Sequence, residues 1–179
     1  MKIIKNVLSD NLYQECLDTI RQLPEDHCWA SSSVTWDPYL RHGFLGSCIF
    51  NFVPEHLRIK IVDELRYYLP LYKDPNKSSV KFCIWQPMSG IPWHNDYGHD
   101  LGATIYLNEH WDINYGGIFL YENSEQEGSG EYTNNVNALI PQKNTMVIND
   151  RTEHHMVTPV GYDIPEFRYT IQIWAESKE

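Results

Sequence analysis

Apolar residues recur at helical spacing near the start of the chain. Leu12, Cys16 and Ile20 are each four residues apart, and Leu17 lies beside them. Because four-residue spacing places side chains on one face of an α-helix, this segment is predicted to be an amphipathic helix. Proline cannot continue a helix interior, so the helix is expected to end before Pro24.

A second helix is predicted between Pro54 and Pro70, since proline is tolerated in the first turn of a helix but disrupts its interior. Between the two predicted helices the pattern is ambiguous, although residues 47–52 are compatible with a strand. The apolar positions of the second helix are Leu57, Ile61, Leu65 and Leu69.

From residue 80 the pattern changes to short runs of β-branched and aromatic residues, separated by turn-forming clusters. Many short strands without intervening helices are typical of a sandwich or a small barrel. Residues 122–137 are polar and contain Gly128 and Gly130, so this segment is predicted to be a mobile loop. The predicted strands are residues 80–86, 103–108, 117–121, 145–148, 155–160 and 168–174.

Two of these strands, 103–108 and 168–174, alternate strictly between apolar and polar residues. Side chains of a strand point alternately to its two faces, so each strand has one apolar and one polar face. The polar faces either lie in water on a half-exposed sheet or line a polar pocket inside a barrel. Alternation alone is compatible with both.

The charge and cysteine content narrow the possible functions. With 14 basic and 24 acidic residues the net charge is −10, which disfavours passive binding to nucleic acid or to an anionic membrane. No apolar run approaches the roughly 18 residues of a membrane span, and no secretory signal is visible at the start. The cysteines are irregularly spaced and indicate neither a zinc site nor a disulfide framework, which favours a cytoplasmic protein. They are Cys16, Cys28, Cys48 and Cys83.

His94-Asn95-Asp96 is the strongest local signal for a metal site. On an extended segment His94 and Asp96 point the same way, as two ligands of one ion must. The alternative is that His94 and Asp96 are ordinary surface residues. His99 and Asp100 form a rival pair, but they are adjacent in sequence, so on a strand their side chains would point to opposite faces. For a third ligand the chain offers His154 and His155, of which only one is expected to enter the pocket because neighbours on a strand face opposite sides.

Arg168 opens a predicted strand with a polar face. A buried arginine needs an anion, because an unpaired buried charge is costly. That anion is either one of the chain's own carboxylates or the carboxylate of a bound small molecule. Two histidines and one carboxylate form the facial triad of non-haem iron(II) oxygenases. A three-ligand zinc hydrolase is an alternative that gives Arg168 no clear role.

Taken in the order in which they occur along the chain, the motifs of residues 80–175 resemble those of the 2-oxoglutarate- and iron(II)-dependent oxygenases. The resemblance is greatest to the prolyl 4-hydroxylases, including the hypoxia-factor prolyl hydroxylases. Residues 1–75 carry no matching motif. The matching motifs are His94-Asn95-Asp96, Tyr106-Leu107-Asn108 followed by Trp111-Asp112, Gly116-Gly117, Asp150-Arg151 ahead of His155-Met156-Val157-Thr158-Pro159, and Arg168-Tyr169-Thr170 leading to Trp174.

The resemblance implies a mainly β (α+β) fold: a double-stranded β-helix, or jelly roll, supported by N-terminal helices. Residues 1–179 would form a single oxygenase domain, with 1–75 as helical support and 80–175 as the catalytic core. Three residues, His94, Asp96 and His155, would bind Fe(II). Arg168 would bind the distal carboxylate of 2-oxoglutarate, assisted by the Tyr106 hydroxyl. Two further residues expected to line the cosubstrate end are Thr170 and Gln172.

The implied activity is that of a dioxygenase that uses Fe(II), 2-oxoglutarate and dioxygen, with ascorbate as a further candidate cofactor. It would hydroxylate an unactivated C–H bond, foremost of a prolyl residue in a peptide or protein, and release succinate and carbon dioxide. The substrate-contacting segments would be 122–137 and 85–93, and the protein would be a monomer or small homo-oligomer. Two alternatives remain: a free amino acid or other small molecule as substrate, or a non-catalytic jelly roll that binds metal or carboxylate. A nucleobase substrate is disfavoured, because Trp174 stands where nucleobase demethylases usually carry a second arginine.

Overall fold

The computed structural model describes residues 1–23, 30–31, 46–69, 78–96, 99–122 and 136–175. Within them lie two α-helices, one short 3-10 helix at Ile113–Tyr115 and eleven β-strands. The helices are α1 (Asp10–Gln22) and α2 (Glu55–Leu65). The strands are β1 (Lys2–Lys5), β2 (Ala30–Ser31), β3 (Cys48–Phe52), β4 (Ser78–Trp85), β5 (Ile91–His94), β6 (Leu101–Tyr106), β7 (Phe119–Glu122), β8 (Val136–Leu139), β9 (Thr145–Asp150), β10 (His155–Val157) and β11 (Arg168–Ala175).

The strands form two antiparallel sheets. The larger has the order β1-β9-β6-β11-β4-β3-β2, and the smaller has the order β5-β10-β7-β8. Strands that follow each other in the chain often do not lie side by side in a sheet, as expected when the chain alternates between two facing sheets. This is the jelly roll that the sequence predicts, and every strand predicted from residue 80 onward overlaps an observed one.

Both helices share one apolar cluster with the outer face of the larger sheet. Leu17 of α1, Ile61 of α2 and Ile171 of β11 are all fully buried in it. Tyr13 adds a polar link, because its hydroxyl donates a 2.6 Å hydrogen bond to the backbone carbonyl of Leu107, just beyond β6. Both helices therefore pack against the outer face of the larger sheet.

The alternating strands have their polar face inside the barrel. Ile105 and Ile171 belong to the cluster under the helices. Thr104, Arg168 and Gln172, of opposite parity, line a cavity between the two sheets. Of the two interpretations of the alternation, the barrel with a polar interior is therefore correct.

The N-terminal third contributes more than the predicted helical support. Strand β1 pairs with β9 and β3 pairs with β4, so both extend the larger sheet. The predicted strand at 47–52 is confirmed as β3, whereas β1 is short and follows no alternating pattern. Neither described helix is long and apolar enough to cross a membrane.

The predicted loop at 122–137 is shorter than expected at both ends. Glu122 closes β7 and Val136 opens β8, and these two strands pair with each other. Residues 123–135 lie outside the described residues, as do Pro24, Cys28 and Pro70.

Replacing Leu17 by Ala tests how much the helix-facing core contributes to stability. Leu17 is fully buried, so the truncation removes apolar contacts and leaves a cavity; we expect it to lower the free energy of unfolding by about 2–5 kcal/mol. Urea denaturation followed by circular dichroism measures this loss. The control is Ile59→Ala on α2, where the side chain is 39% exposed and the loss should be much smaller. Equal losses would contradict the assignment of the core.

Candidate metal and cosubstrate site

Two histidines face each other across paired strands of the smaller sheet. His94 ends β5 and His155 begins β10, and the register of these antiparallel strands places the two residues opposite each other. Their ring centroids are 4.3 Å apart. Asp96 follows two residues after His94, with its carboxylate oxygens 3.9 Å from His94 Nε2 and 3.8 Å from His155 Nε2. One ligand atom from each residue can be chosen so that all three lie within 4.8 Å of one another.

Backbone carbonyls fix which nitrogen of each imidazole is available. His94 Nδ1 lies 2.7 Å from the carbonyl oxygen of Pro92, and His155 Nδ1 lies 3.0 Å from that of Glu153. A carbonyl only accepts, so both Nδ1 atoms carry the proton and both Nε2 atoms keep a lone pair directed at Asp96. Burial lowers the pKa of His94 to about 4, with the neighbouring His155 as a further cause, and burial also lowers the pKa of His155. Both rings are therefore neutral at neutral pH, the form that binds a metal.

The Asp96 carboxylate is held by the larger sheet. Asn149 of β9 donates a 2.8 Å hydrogen bond from Nδ2 to Asp96 Oδ2. Gly102 of β6 makes room for this pair, since a Cβ at that position would lie only 2.5 Å from Asp96 Oδ2. Sequence analysis did not identify either residue. Alternation offers a signal for Asn149, because it shares a strand face with Val147, which is buried between the sheets.

His154 points away from the triad, as the strand parity predicts. Its Nδ1 lies 3.3 Å from Glu122 Oε2, and its Nε2 lies 3.2 Å from Asn95 Nδ2. His155 instead lies under the Phe119 ring, with centroids 5.2 Å apart and planes 25° from parallel. Only His155 of the adjacent pair therefore belongs to the candidate metal site.

Arg168 is buried among aromatic rings. Its guanidinium carbon lies 5.0 Å from the centroid of the Trp85 ring and 5.2 Å from that of Tyr106. Nε and Nη1 of Arg168 and the hydroxyl of Tyr106 are buried without a hydrogen-bond partner among the described residues. Burial lowers the pKa of Arg168 and raises the pKa of Tyr106 to about 12. No described carboxylate pairs with this guanidinium, so within the described residues its charge has no partner anion.

The Gly116-Gly117 motif lies directly against Arg168. Gly117 has φ of +62°, and a Cβ there would lie 2.7 Å from Arg168 Cδ. Gly116 has φ of +65°, and a Cβ there would overlap the carbonyl of Pro159 at 2.1 Å. Both positions therefore require glycine for conformation and for space.

One cavity of about 410 Å³, including its space open to solvent, joins the triad to Arg168. Gln172 lines it, and its side-chain oxygen accepts a 2.7 Å hydrogen bond from Thr104. Thr170 does not line it: its buried hydroxyl accepts a 3.0 Å hydrogen bond from Trp85 Nε1. Trp85 is itself buried under Arg168, which places it deep in the barrel and away from the protein surface. The complete described lining is Ile91, His94, Asp96, Gly102, Ala103, Thr104, Phe119, Asn149, His155, Val157, Arg168, Gln172 and Trp174.

The donor set fits a ferrous ion and a dicarboxylate. Two neutral imidazoles and one carboxylate on one side of an ion leave further coordination positions open, which is the arrangement used by non-haem iron(II) oxygenases. The unpaired nitrogens of Arg168 fit a carboxylate, which a guanidinium binds in bidentate fashion. Because both groups reach one cavity, a single small molecule can contact the metal with one end and Arg168 with the other.

Solved structures with similar folds include two prolyl hydroxylases. A prolyl-4-hydroxylase from Pseudomonas putida is 16% identical, with a TM-score of 0.64 over 99% of this chain and 92% of that one. A prolyl hydroxylase from Trichoplax adhaerens, in complex with a hypoxia inducible factor peptide fragment, is 18% identical. Its TM-score is 0.69, over 98% of this chain and 82% of that one.

A third structure of similar fold is HygX from Streptomyces hygroscopicus, with nickel, 2-oxoglutarate and hygromycin B bound. It is 12% identical, with a TM-score of 0.61 over 98% of this chain and 82% of that one. At these identities the likeness concerns the fold. No curated protein is significantly similar to the chain in sequence. Residues 81–176, more than half of the chain, match the family description 2OG-Fe(II) oxygenase superfamily. The chain therefore belongs to the 2OG-Fe(II) oxygenase superfamily.

Proposed function

We propose that this single-domain protein is a dioxygenase that hydroxylates a prolyl residue of a peptide or protein. His94, Asp96 and His155 would hold the iron, and Arg168 would hold the distal carboxylate of 2-oxoglutarate. The observation that carries the proposal is the meeting of this triad, in one cavity, with a buried guanidinium that no described carboxylate pairs. The triad alone would fit a structural metal site equally well, and the buried guanidinium alone would fit an internal ion pair equally well.

The protein's own part in the reaction is to orient and to exclude water. The carbonyls of Pro92 and Glu153 hold the two imidazoles with Nε2 toward the ion, and Asn149 holds the Asp96 carboxylate. Gln172 and Thr104 bond to each other along the wall between the triad and Arg168. When bound, iron(II) and 2-oxoglutarate supply the oxidising chemistry, in which dioxygen, cosubstrate and a substrate C–H bond give succinate, carbon dioxide and a C–OH bond.

The prolyl substrate is supported by the recurrence of prolyl hydroxylases among the structures of similar fold, including one from Phytophthora capsici. A small-molecule substrate is the second candidate. It is favoured by similar folds whose structures hold other small molecules: HygX with hygromycin B, and the epimerase SnoN with nogalamycin RO.

Asp96→Ala tests the metal assignment. Removing the only carboxylate of the triad should lower iron-dependent succinate release from 2-oxoglutarate at least about 100-fold, since outer-shell changes alone typically cost 10–100-fold. Binding of Ni(II), measured by calorimetry, should fall in parallel. The matched control is Asp100→Ala, which removes a nearby carboxylate that pairs with Arg151 outside the cavity. Equal losses in both variants, or full activity of Asp96→Ala, would contradict the assignment.

Gly117→Ala tests the role of Arg168 without removing its charge. The new methyl group would displace the guanidinium stem, so the KM for 2-oxoglutarate should rise about tenfold or more while Ni(II) binding changes little. Gly161→Ala is the control, because its Cβ would meet its nearest atom at 3.3 Å. A normal KM in a correctly folded Gly117→Ala protein would argue against Arg168 as the carboxylate site.

The substrate class is tested by mass spectrometry of products. With iron and 2-oxoglutarate present, we expect proline-containing peptides to gain one oxygen on proline, in step with succinate release. Matched peptides with alanine in place of proline are the control. Hydroxylation of small molecules, such as hygromycin B, with no modified peptide would favour the second candidate.

A further inference from the structure

Three aromatic rings surround the ammonium group of Lys81 on β4. Its Nζ lies 4.4 Å from the ring centroid of Phe50, 5.3 Å from that of Phe52 and 5.3 Å from that of Trp174. In the strand register Phe52 of β3 lies opposite Lys81, whereas Phe50 and Trp174 lie opposite Cys83 and Ser79, two residues away on the same face of β4. We call Lys81 and its three rings the lysine cage.

The lysine cage adjoins the mouth of the candidate active site. Trp174, one of its walls, lines the cavity together with the metal triad. Gln172, directly beside Lys81 in the register, lines it as well. Phe52, at the other side of the cage, is 64% exposed, so the cage reaches from the cavity to the surface. The ammonium group therefore lies directly behind one wall of the cavity that contains the triad.

Lys81 differs from several described cations in having no described carboxylate beside it. Arg21, Arg58, Lys60, Lys143 and Arg151 all lie within ion-pair distance of a carboxylate. Within the described residues, Lys81 has neither an ion pair nor a hydrogen bond; its contacts are the three rings. Burial lowers its pKa. An ammonium group has three donors, and ring faces leave them without a strong acceptor.

We propose that Lys81 is a substrate-recognition residue that selects an acidic group, an aspartate or glutamate close to the hydroxylated proline. This inference rests on the proposed function. The cage positions the half-buried ammonium group, so an incoming carboxylate would add a charge-assisted hydrogen bond to the weak ring contacts. Because the protein as a whole is strongly negative, this local positive charge would decide whether an acidic substrate is tolerated at the mouth.

The test uses a pooled library of acetylated peptides with a central proline and all amino acids at the flanking positions. The protein, loaded with iron and 2-oxoglutarate, is incubated with the pool, and hydroxylated peptides are sequenced by mass spectrometry. Enrichment of aspartate or glutamate at a fixed flanking position supports the inference. Hydroxylation without acidic enrichment overturns it and leaves the proposed function intact. Succinate release without any hydroxylated peptide overturns the prolyl substrate, and this inference with it.

Variants then link the preference to Lys81. Lys81→Gln should lower kcat/KM for the best acidic peptide about tenfold, mainly through KM, and change it less than twofold for the peptide with glutamine in place of the acid. Lys81→Glu should shift the enrichment toward basic peptides, and Lys81→Arg should retain the acidic preference. If Lys81→Gln instead raises only the KM for 2-oxoglutarate, the lysine serves the cosubstrate and the inference fails.

Lys143→Gln is the matched control for loss of a positive charge. Lys143 also lies over an aromatic ring, with its Nζ 4.9 Å from the Tyr13 centroid, but it is outside the cavity. Its removal should leave the acidic preference unchanged. An equal loss of preference in this variant would mean that net charge, and not the lysine cage, sets the selectivity, which would overturn the inference.

Discussion

The candidate site depends on a buried guanidinium for which no described residue supplies an anion. Removing the Arg168 charge from water costs several kcal/mol, and the faces of Trp85 and Tyr106 offset only part of that cost. The surrounding structure is arranged to maintain this unfavourable state: Gly117 leaves space for the side-chain stem, and Thr170 holds the Trp85 indole in place. A protein that gained only stability from this position would place an apolar residue there. Under the proposed function, a bound carboxylate would offset this cost, and the cavity would favour an anionic cosubstrate over a neutral one.

The metal end of the cavity depends on a different constraint, the strand register of the smaller sheet. His94 and His155 oppose each other because β5 and β10 pair antiparallel, and a shift by one residue would turn one imidazole out of the cavity. Asp96 then links the sheets, since its carboxylate is fixed by Asn149 of the larger one. The two histidines thus come from one sheet, while Arg168 and the residue orienting Asp96 come from the other. The spacing between the sheets therefore sets the distance that a bridging ligand must span.

Much of this architecture follows from local patterns in the chain. The four-residue spacing of Leu12, Cys16 and Ile20 predicted α1, and the strict alternation at 168–174 predicted β11 and its two faces, because both patterns are fixed by backbone geometry. The short strands β1 and β8 escaped prediction, since four residues with mixed polarity carry no periodic signal and are formed by pairing with distant strands. Pairing of this kind depends on tertiary contacts that local propensity does not encode.

Within the site, sequence was informative where a residue type is chemically distinctive and silent where its role depends on position. Histidine, aspartate and arginine in order were recognisable, but an asparagine such as Asn149 or a lysine such as Lys81 has many possible roles in a soluble protein. Thr170 shows that a residue's position on a face does not reveal its contacts. Parity places it on the inner face of the sheet, yet its hydroxyl accepts a hydrogen bond from Trp85 and does not line the cavity. Parity determines which way a side chain points, whereas its partner depends on which strands lie beside it. Cross-strand neighbours such as Lys81 and Phe52 therefore lie close in space although they are far apart in the chain, and local sequence patterns do not reveal such pairs.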